Sequence, residues 1–267
     1  MITMSERKKA DRRVIIHGDC WPVVSTVKYV VETLLPDGQC ECTYEITELL
    51  QKLVRYPDAL LLLCLRPRQH IFLFYALKNE LLCHPILVVS DELLFSDQVV
   101  LHCWGDIPAF LHTELAGILY HLRGSKVPHT SENGLISFLS DPKPAFGNFA
   151  VPLIFNNPKR LMNYMSVLMY RVTESRGVTP DQQKLLKEIY RGRHRFSELK
   201  KKLNRSEKKI YQDKNRLLIK LGMKNRLHEL LYGTRFCMTD QRTEFMSPDK
   251  TKTLFKAETF AVLDERK

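Results

Sequence analysis

The chain has 267 residues, which is enough for one large domain or two modest ones with separate hydrophobic cores. Its composition, 44% hydrophobic and 27% charged, is that of a globular protein, and its formal net charge is +11. The N-terminus is polar and the longest apolar run, ALLLLCL at 59–65, is short, so we expect neither a signal peptide nor a membrane span.

The seven cysteines contain no C-x-x-C pair, and most of them lie inside apolar runs. This pattern predicts buried thiols in a reducing cytosol, and it does not favour a zinc site or a disulfide framework. The histidines show no metal-ligand spacing, and no glycine-rich phosphate loop is present. We therefore expect no metal, no cofactor and no enzymatic activity.

The first 125 residues alternate between strand-like and helix-like periods. The predicted strands are 13–16, 40–46, 58–65, 85–90 and 99–104, and the predicted helices are 22–35, 46–55, 71–82 and 113–123. Alternation of this kind predicts an α/β domain over about 10–125, with a doubly wound parallel sheet of five strands.

From Gly124 to about Asn157 the chain becomes rich in Ser, Asn, Gly and Pro, which predicts a linker within 126–175. A helix is predicted over 160–172. Its apolar positions recur at helical spacing and include Leu161, Met165, Leu168, Met169 and Val172. Two interpretations stay open, because such a helix can pack on its own domain or pair with a second protomer.

Most of the excess positive charge lies in one segment. From Val178 to Tyr232 there are sixteen Lys or Arg residues against six Asp or Glu residues, while the remainder of the chain is nearly neutral. A basic segment attached to a neutral body is typical of a module that binds a polyanion.

The same segment predicts an all-α domain over about 176–236, made of four short helices. Thr179 is a favourable N-cap for the first helix and Ser206 for the third, and Gly222 ends the third helix. A tight turn at Asn204-Arg205 joins the second helix to the third. Two helices joined in this way are typical of the helix-turn-helix.

The third helix has an apolar face, and its opposite face carries Tyr211, Gln212 and Asn215. Gln and Asn can each form two hydrogen bonds with an adenine edge, and Tyr can stack or donate, so we predict that these three residues read DNA bases. Asp213 is a counter-signal, because an acid repels phosphate unless it is paired. The residues predicted to contact DNA phosphates are Lys200, Arg205, Lys208, Lys209, Lys214 and Arg216.

The segment VTPDQQKLLKEIYRG…SELKKKLNRSEKKIYQDKNRLLIKLGMKNRLHELL resembles the LuxR-type DNA-binding domain of bacterial regulators. Its KKLNRS…KLG part is most similar to RcsB-type regulators and their auxiliary relatives. In that family the positions just after the buried aliphatic residue of the third helix read bases, which supports the assignment of the three residues above. Gln182 and Lys184 stand where the family usually has acids, and the turn after Gly192 is one residue longer.

The N-terminal half resembles the receiver domain that usually precedes such modules. In that domain acidic residues bind Mg²⁺, an Asp accepts a phosphoryl group, and a Ser or Thr and a Lys complete the site. The corresponding positions here are Asp19, Leu63, Ser90 and Thr113. Because leucine cannot carry a phosphoryl group, the resemblance implies a pseudo-receiver with a degenerate phosphorylation site.

These observations predict a cytoplasmic, nucleoid-associated transcription regulator that binds double-stranded DNA without phosphorylation. The resemblance implies a homodimer, or a heterodimer with an RcsB-like response regulator, and residues 237–267 are expected to form a flexible tail. An interaction protein that titrates a partner regulator through the pseudo-receiver remains an alternative. A small-molecule pocket beside Asp19 is another, because open α/β sheets bind ligands at the carboxyl ends of their strands.

Overall fold

A computed structural model describes residues 12–123, 134–192, 195–224 and 226–253. The chain divides into two compact units. The first unit contains the N-terminal part of the chain to residue 92, residues 101–158, and the C-terminal segment from 241 onward. The second unit contains 93–100 and 159–240.

The first unit is built on a parallel sheet of five strands in the order β2-β1-β3-β4-β5. The central strands are apolar throughout, as is expected of strands covered on both faces. The strands are β1 (Arg13–Gly18), β2 (Gln39–Thr43), β3 (Leu60–Cys64), β4 (Ile86–Ser90) and β5 (Ala109–Leu111). The receiver-like doubly wound sheet predicted from the sequence is therefore confirmed.

Seven α-helices are described between and after these strands, up to residue 140. They are α1 (Trp21–Leu34), α2 (Ile46–Arg55), α3 (Ile71–Ala76), α4 (Lys78–Cys83), α5 (Phe95–Cys103), α6 (His112–Arg123) and α7 (Gly134–Ser140). The apolar faces of α1, α6 and α7 pack with one face of the sheet in a single hydrophobic cluster.

One strand prediction was wrong. Residues 99–104 were predicted to form the fifth strand, but they belong to helix α5 and the following residue, and the fifth strand is the shorter β5. The short run of buried residues in VVLHCW fits a strand or a buried helix equally well, because periodicity alone does not separate the two. The helix is favoured at its start by Asp97, whose Oδ2 accepts a hydrogen bond from the Leu94 amide at 2.8 Å.

Part of the predicted linker belongs to the core of the first unit. In α7, Leu135, Phe138 and Leu139 are buried in the same cluster as Leu115 and Ile118 of α6. Apolar side chains in a Pro- and Gly-rich stretch therefore mark a segment that docks on the domain. Residues 124–133 of that linker lie outside the described residues.

The first part of the segment predicted to be a flexible tail contains regular structure. A 3₁₀ helix covers Met238–Asp240, and residues 248–253 are helical. Residues 241–245 make hydrogen bonds and aromatic contacts with the first unit. Residues 254–267 lie outside the described part of the chain.

The second unit contains the predicted all-α domain. Its helices are α8 (Pro158–Ser175), α9 (Pro180–Tyr190), α10 (Phe196–Leu203), α11 (Glu207–Lys220) and α12 (Leu227–Tyr232). Helix α9 packs against α10, α11 and α12, and α10 packs against α11. The four-helix helix-turn-helix arrangement is confirmed.

The apolar stripe of α8 is buried within a single chain. Leu161 and Met165 are fully buried and Met169 is 4% exposed. The structure thus supports the interpretation that this helix packs on its own chain. Pairing through these residues would require them to be uncovered first.

Candidate nucleic-acid interface

The helix-turn-helix is fixed by caps at each of its joints. The Thr179 side chain accepts from the Gln182 amide and the Gln182 side chain accepts from the Thr179 amide, which forms a capping box at the start of α9. Asn204 ends α10 in the left-handed region with φ 49° and ψ 51°, a conformation that Asn tolerates better than most residues. The Ser206 side chain then accepts from the Lys209 amide and caps α11.

Helix α11 is amphipathic in the way that a groove-binding helix requires. Ile210 and Leu217 are 1% and 0% exposed and pack inward, whereas Tyr211 is 50% exposed on the outward face. Gln212 is exposed beside it and Asn215 is half-buried. The three predicted base-reading residues therefore lie on the side of the helix that does not pack inward.

Cations surround this outward face. Lys200, Lys208, Lys209 and Arg216 are exposed, and Lys214 is half-buried. These side chains can reach a polyanion while the apolar face of α11 stays packed. Such an arrangement suits phosphate contacts on both sides of a base-reading helix.

Arg205 differs from the other predicted phosphate contacts because it is paired with two carboxylates. Its guanidinium forms an ion pair with Asp181 and a second one with Asp213, where Nη1 is 3.0 Å from Oδ2. Asp213 is buried, and Lys209 Nζ lies 3.5 Å from its other oxygen. We therefore assign Arg205 to holding the turn against α9 and α11.

The same contacts explain the acid in the basic helix. Asp213 points into the fold and its charge is compensated by Arg205, so it does not oppose an incoming phosphate from the outward face. The backbone carbonyl of Asp213 also accepts from Gln182 Nε2 at 3.4 Å. Gln182 is thus a buried link between α9 and α11.

Another polar site lies at the carboxyl edge of the sheet in the first unit. A cleft of about 180 Å³ is lined there by Asp19, Cys64, Ser90 and His112, together with other residues. It brings together two of the four predicted positions, Asp19 and Ser90. Asp91 and Arg242 also line it and were missed by sequence reasoning.

The other two predicted positions are not in this cleft. Leu63 is fully buried in β3, in register with His17 of β1 and Val88 of β4, and the β3 residue that lines the cleft is Cys64. Thr113 is exposed on α6, next to the lining residue His112. The resemblance assigned Leu63 to the acceptor position, but the sequence alone did not show the direction of the Leu63 side chain.

The acids of this cleft have basic partners. His70 Nε2 lies 3.4 Å from Asp19 Oδ2, and the Arg242 guanidinium forms an ion pair with the same carboxylate. Hydrogen bonding from His70 and then from Arg242 holds the pKa of Asp19 well below its usual range. Asp91 accepts from Arg66 Nε at 2.8 Å, and this bond lowers the pKa of Asp91.

Next to this edge, His17 is buried in the sheet. Its Nδ1 lies 3.0 Å from Thr43 Oγ1. Burial, aided by repulsion from His70, lowers the pKa of His17 to about 4, so this side chain is neutral at physiological pH. In the described part of the chain, no group of three or more His, Cys, Asp or Glu residues has the arrangement of a metal site.

No helix among the described residues is long and apolar enough to cross a membrane. No family model matches the chain, and no curated protein matches it.

Solved structures of similar topology include the two-component response regulator RcsB in complex with DNA. That chain is 20% identical, with a TM-score of 0.48, and the match covers 83% of this chain and 96% of that one. RcsB from Salmonella enterica serovar Typhimurium bound to promoter rprA gives 20% identity, a TM-score of 0.45 and coverage of 82% and 96%. The response regulator ChrA of a heme-sensing two-component system gives 14% identity, a TM-score of 0.29 and coverage of 83% and 95%. With TM-scores below 0.5, these similarities do not assign the chain to a family. Its fold class follows from its own sheet topology and helix arrangement.

Proposed function

We propose that this chain is a sequence-specific DNA-binding transcription regulator that acts from the bacterial nucleoid. The observation that carries the proposal is the outward face of α11. It presents Tyr211, Gln212 and Asn215 on a helix whose other face is packed, whose N-terminus is capped and whose flanks are basic. Asp213, the acid in the middle of α11, is buried and paired, so it does not face an incoming phosphate.

The regulator is further proposed to work without aspartyl phosphorylation. Neither Leu63, which the resemblance assigns to the acceptor position, nor Cys64, the β3 residue that lines the cleft, has a carboxylate that could accept a phosphoryl group. The two acids that line the cleft, Asp19 and Asp91, are each engaged by an arginine. A small-molecule phosphodonor with Mg²⁺ should therefore leave the mass and the DNA affinity of the protein unchanged. An acid-labile adduct of one phosphoryl group would contradict this part of the proposal.

Dimerisation on DNA is also part of the proposal, since operators read by helix-turn-helix proteins mirror a protein two-fold axis. The partner can be a second copy of this chain or an RcsB-like regulator. Sedimentation of the protein on its operator, alone and with such a regulator, distinguishes the two assemblies. A single protomer bound at saturation would exclude both.

The experiment that tests DNA reading separates two classes of residue on α11. Selection of bound fragments from random duplexes first supplies the operator. Gln212→Ala and Asn215→Ala each remove a base contact of about 1–3 kcal/mol, so operator binding should fall while binding to scrambled duplex stays nearly constant. Lys208→Ala and Lys214→Ala should weaken binding to both duplexes and flatten the dependence of log affinity on log salt by about one unit each.

The matched control is Arg205→Ala, which removes a cation of the same segment. Because Arg205 is paired with Asp181 and Asp213, its loss should lower the free energy of unfolding of the second unit. The slope of log affinity against log salt should stay close to that of the parent chain. If Gln212→Ala and Asn215→Ala bind the operator as well as the parent chain does, this face does not read sequence.

A further inference from the structure

A cavity of about 370 Å³, called the α8–α9 cavity below, lies between α8, α9 and the segment that follows α12. All of its described lining residues fall within 159–240, so the cavity belongs to the second unit alone. None of these lining residues lies on α11, and the cavity is therefore distinct from the proposed base-reading face. Its volume is within the range of pockets that hold small organic molecules.

The walls of the α8–α9 cavity are mostly apolar. Met169 of α8 and Leu186 of α9 are buried, so they line the cavity from the packed interior of the unit. Three aromatic rings complete the lining, from Tyr170, Tyr190 and Phe236. Walls of this kind bind a flat apolar group by removing its surface from water.

Two hydrogen bonds join the walls to each other. Gln183 Nε2 of α9 donates to Thr173 Oγ1 of α8 at 2.6 Å. The Tyr190 hydroxyl, at the end of α9, donates to the Thr234 carbonyl at 2.9 Å. All four residues line the cavity, and both threonines are buried. The three segments are thus fixed relative to one another, and a preformed site loses less conformational freedom when a ligand binds.

Three cations lie beside the apolar walls. Lys184 and Lys187 are three positions apart on the same side of α9, and both are exposed. Arg235 is half-buried, and its Nε donates to the Leu231 carbonyl at 2.9 Å. Its Cζ lies 5.2 Å from the centroid of the Tyr190 ring, which holds the guanidinium against an aromatic wall. The bond to Leu231 uses only one of the three guanidinium nitrogens.

The described lining contains no acid to balance these cations. The acids of α9 are Asp181 and Glu188, and neither of them lines the cavity. Asp181 pairs with Arg205, while Glu188 is buried and lies 2.8 Å from Arg191. An apolar cavity with three cations and no acid in its described lining is complementary to an anion that carries an apolar body.

We propose that the α8–α9 cavity is a binding site for a small aryl carboxylate. The aromatic part of such a ligand packs against Met169, Leu186 and Phe236. Its carboxylate accepts two parallel hydrogen bonds from the η nitrogens of Arg235, and Lys187 adds a second positive charge. An aryl group is favoured over an alkyl chain because three aromatic side chains line the cavity, and aromatic pairs stabilise a contact beyond the area that they bury.

Titration of the full-length chain with 2-naphthoate, followed by naphthyl fluorescence, measures the binding. The matched ligand is 2-naphthalenemethanol, which has the same ring system and no charge. Naphthoate should bind about tenfold more tightly than the alcohol, because hydrogen bonds to charged groups are stronger than neutral ones. Naphthoate should also raise the midpoint of thermal unfolding, because a ligand that binds only the folded state stabilises it.

Substitutions localise the bound probe. Arg235→Gln and Lys187→Gln should each weaken naphthoate binding by about three- to tenfold and leave binding of the alcohol unchanged. Lys187 is exposed, so its substitution tests the charge without disturbing the contacts that Arg235 makes with the fold. Tyr170→Ala removes an aromatic wall and should weaken both probes by a similar factor. The matched control is Arg171→Gln, which removes an exposed cation of α8 that does not line the cavity, and it should leave both affinities unchanged.

Saturable binding that Arg235→Gln and Lys187→Gln weaken for the acid alone would support the proposal. Absence of saturable naphthoate binding at millimolar concentration would overturn the site. Equal affinity for the acid and the alcohol, or unchanged acid binding in both cation variants, would overturn the assignment to an anion. An equal loss of acid binding in Arg171→Gln would show that the probe responds to the net charge of the chain, which also overturns the site. None of these measurements uses DNA, so their outcome does not depend on the proposed function.

Discussion

The two polar surfaces of the molecule use their charges in opposite ways. At the carboxyl edge of the sheet, the carboxylates of Asp19 and Asp91 are each paired with an arginine of the same unit. On α11, Lys208, Lys209 and Arg216 are exposed, and Asp213, the acid in the middle of the helix, is turned inward. Charges that are satisfied internally hold a fold together, whereas exposed charges of one sign attract an external partner.

The two units therefore differ in how their polar groups are used: the first unit pairs its acids internally at the edge of the sheet, whereas the second exposes cations on the outward face of α11. The difference rests on single positions. Leu63 is an apolar residue within the sheet, while Gln212 is a polar residue that faces away from its domain.

The largest expected effect comes from restoring an acid to the first unit. Leu63→Asp places a carboxylate at a fully buried position between His17 and Val88. Burying an unpaired charge or a neutralised acid there should lower the free energy of unfolding by about 4 kcal/mol or more. Urea unfolding measures the change, with Leu63→Met as the volume-matched control. A stable variant that accepts a phosphoryl group would show that position 63 does face the cleft.

A smaller loss of stability is expected in the second unit when the buried Asp213 is replaced. Asp213→Ala leaves Arg205 without the more buried of its two carboxylates and should destabilise the helix-turn-helix by about 2–4 kcal/mol. Asp181→Ala is the matched control, because that carboxylate pairs with the same guanidinium but is more exposed. Thermal unfolding of both variants gives the comparison. Equal effects would mean that burial of Asp213 does not matter.

The next effect is the dependence of the stability of the first unit on pH. The pKa of His17 is about 4 in the fold and near 6.5 in the unfolded chain, so below pH 6.5 the unfolded chain binds the extra proton first. Stability should therefore fall between pH 6.5 and pH 4, by up to about 1.4 kcal/mol per pH unit from this group. Urea midpoints measured across that window give the slope.

His17→Gln keeps a polar group near Thr43 and cannot titrate, so the slope should become shallower in this variant. It should not vanish, because burial also lowers the pKa of His112. Stability above pH 6.5 serves as the reference for each protein. An unchanged slope in His17→Gln would show that His17 is not the group that takes up the proton.

The sequence predicted the features whose signals are local. Caps at Thr179 and Ser206, the apolar run of β3 and the basic face of α11 all depend on residues within a few positions of one another. The fifth strand was placed wrongly because buried helix α5 contains a short apolar run of strand length. The pairing of Arg242 with Asp19 could not be predicted, since it joins residues more than two hundred positions apart and each is an ordinary surface charge in the sequence.

The smallest expected effect separates the two faces of α11 itself. Ile219 is 79% exposed, whereas Leu217 two positions earlier is fully buried. Ile219→Ala should therefore change the free energy of unfolding by less than about 0.5 kcal/mol, while Leu217→Ala should lower it by about 2–5 kcal/mol. Urea unfolding of the two variants measures this contrast. Ile219 lies two turns after Tyr211, near the end of the helix, so the ratio of operator to scrambled-duplex affinity should also stay that of the parent chain. A loss of stability in Ile219→Ala as large as in Leu217→Ala would mean that the outward face of α11 is covered by the chain itself. The contrast between the paired charges at the edge of the sheet and the exposed charges of α11 would then be lost.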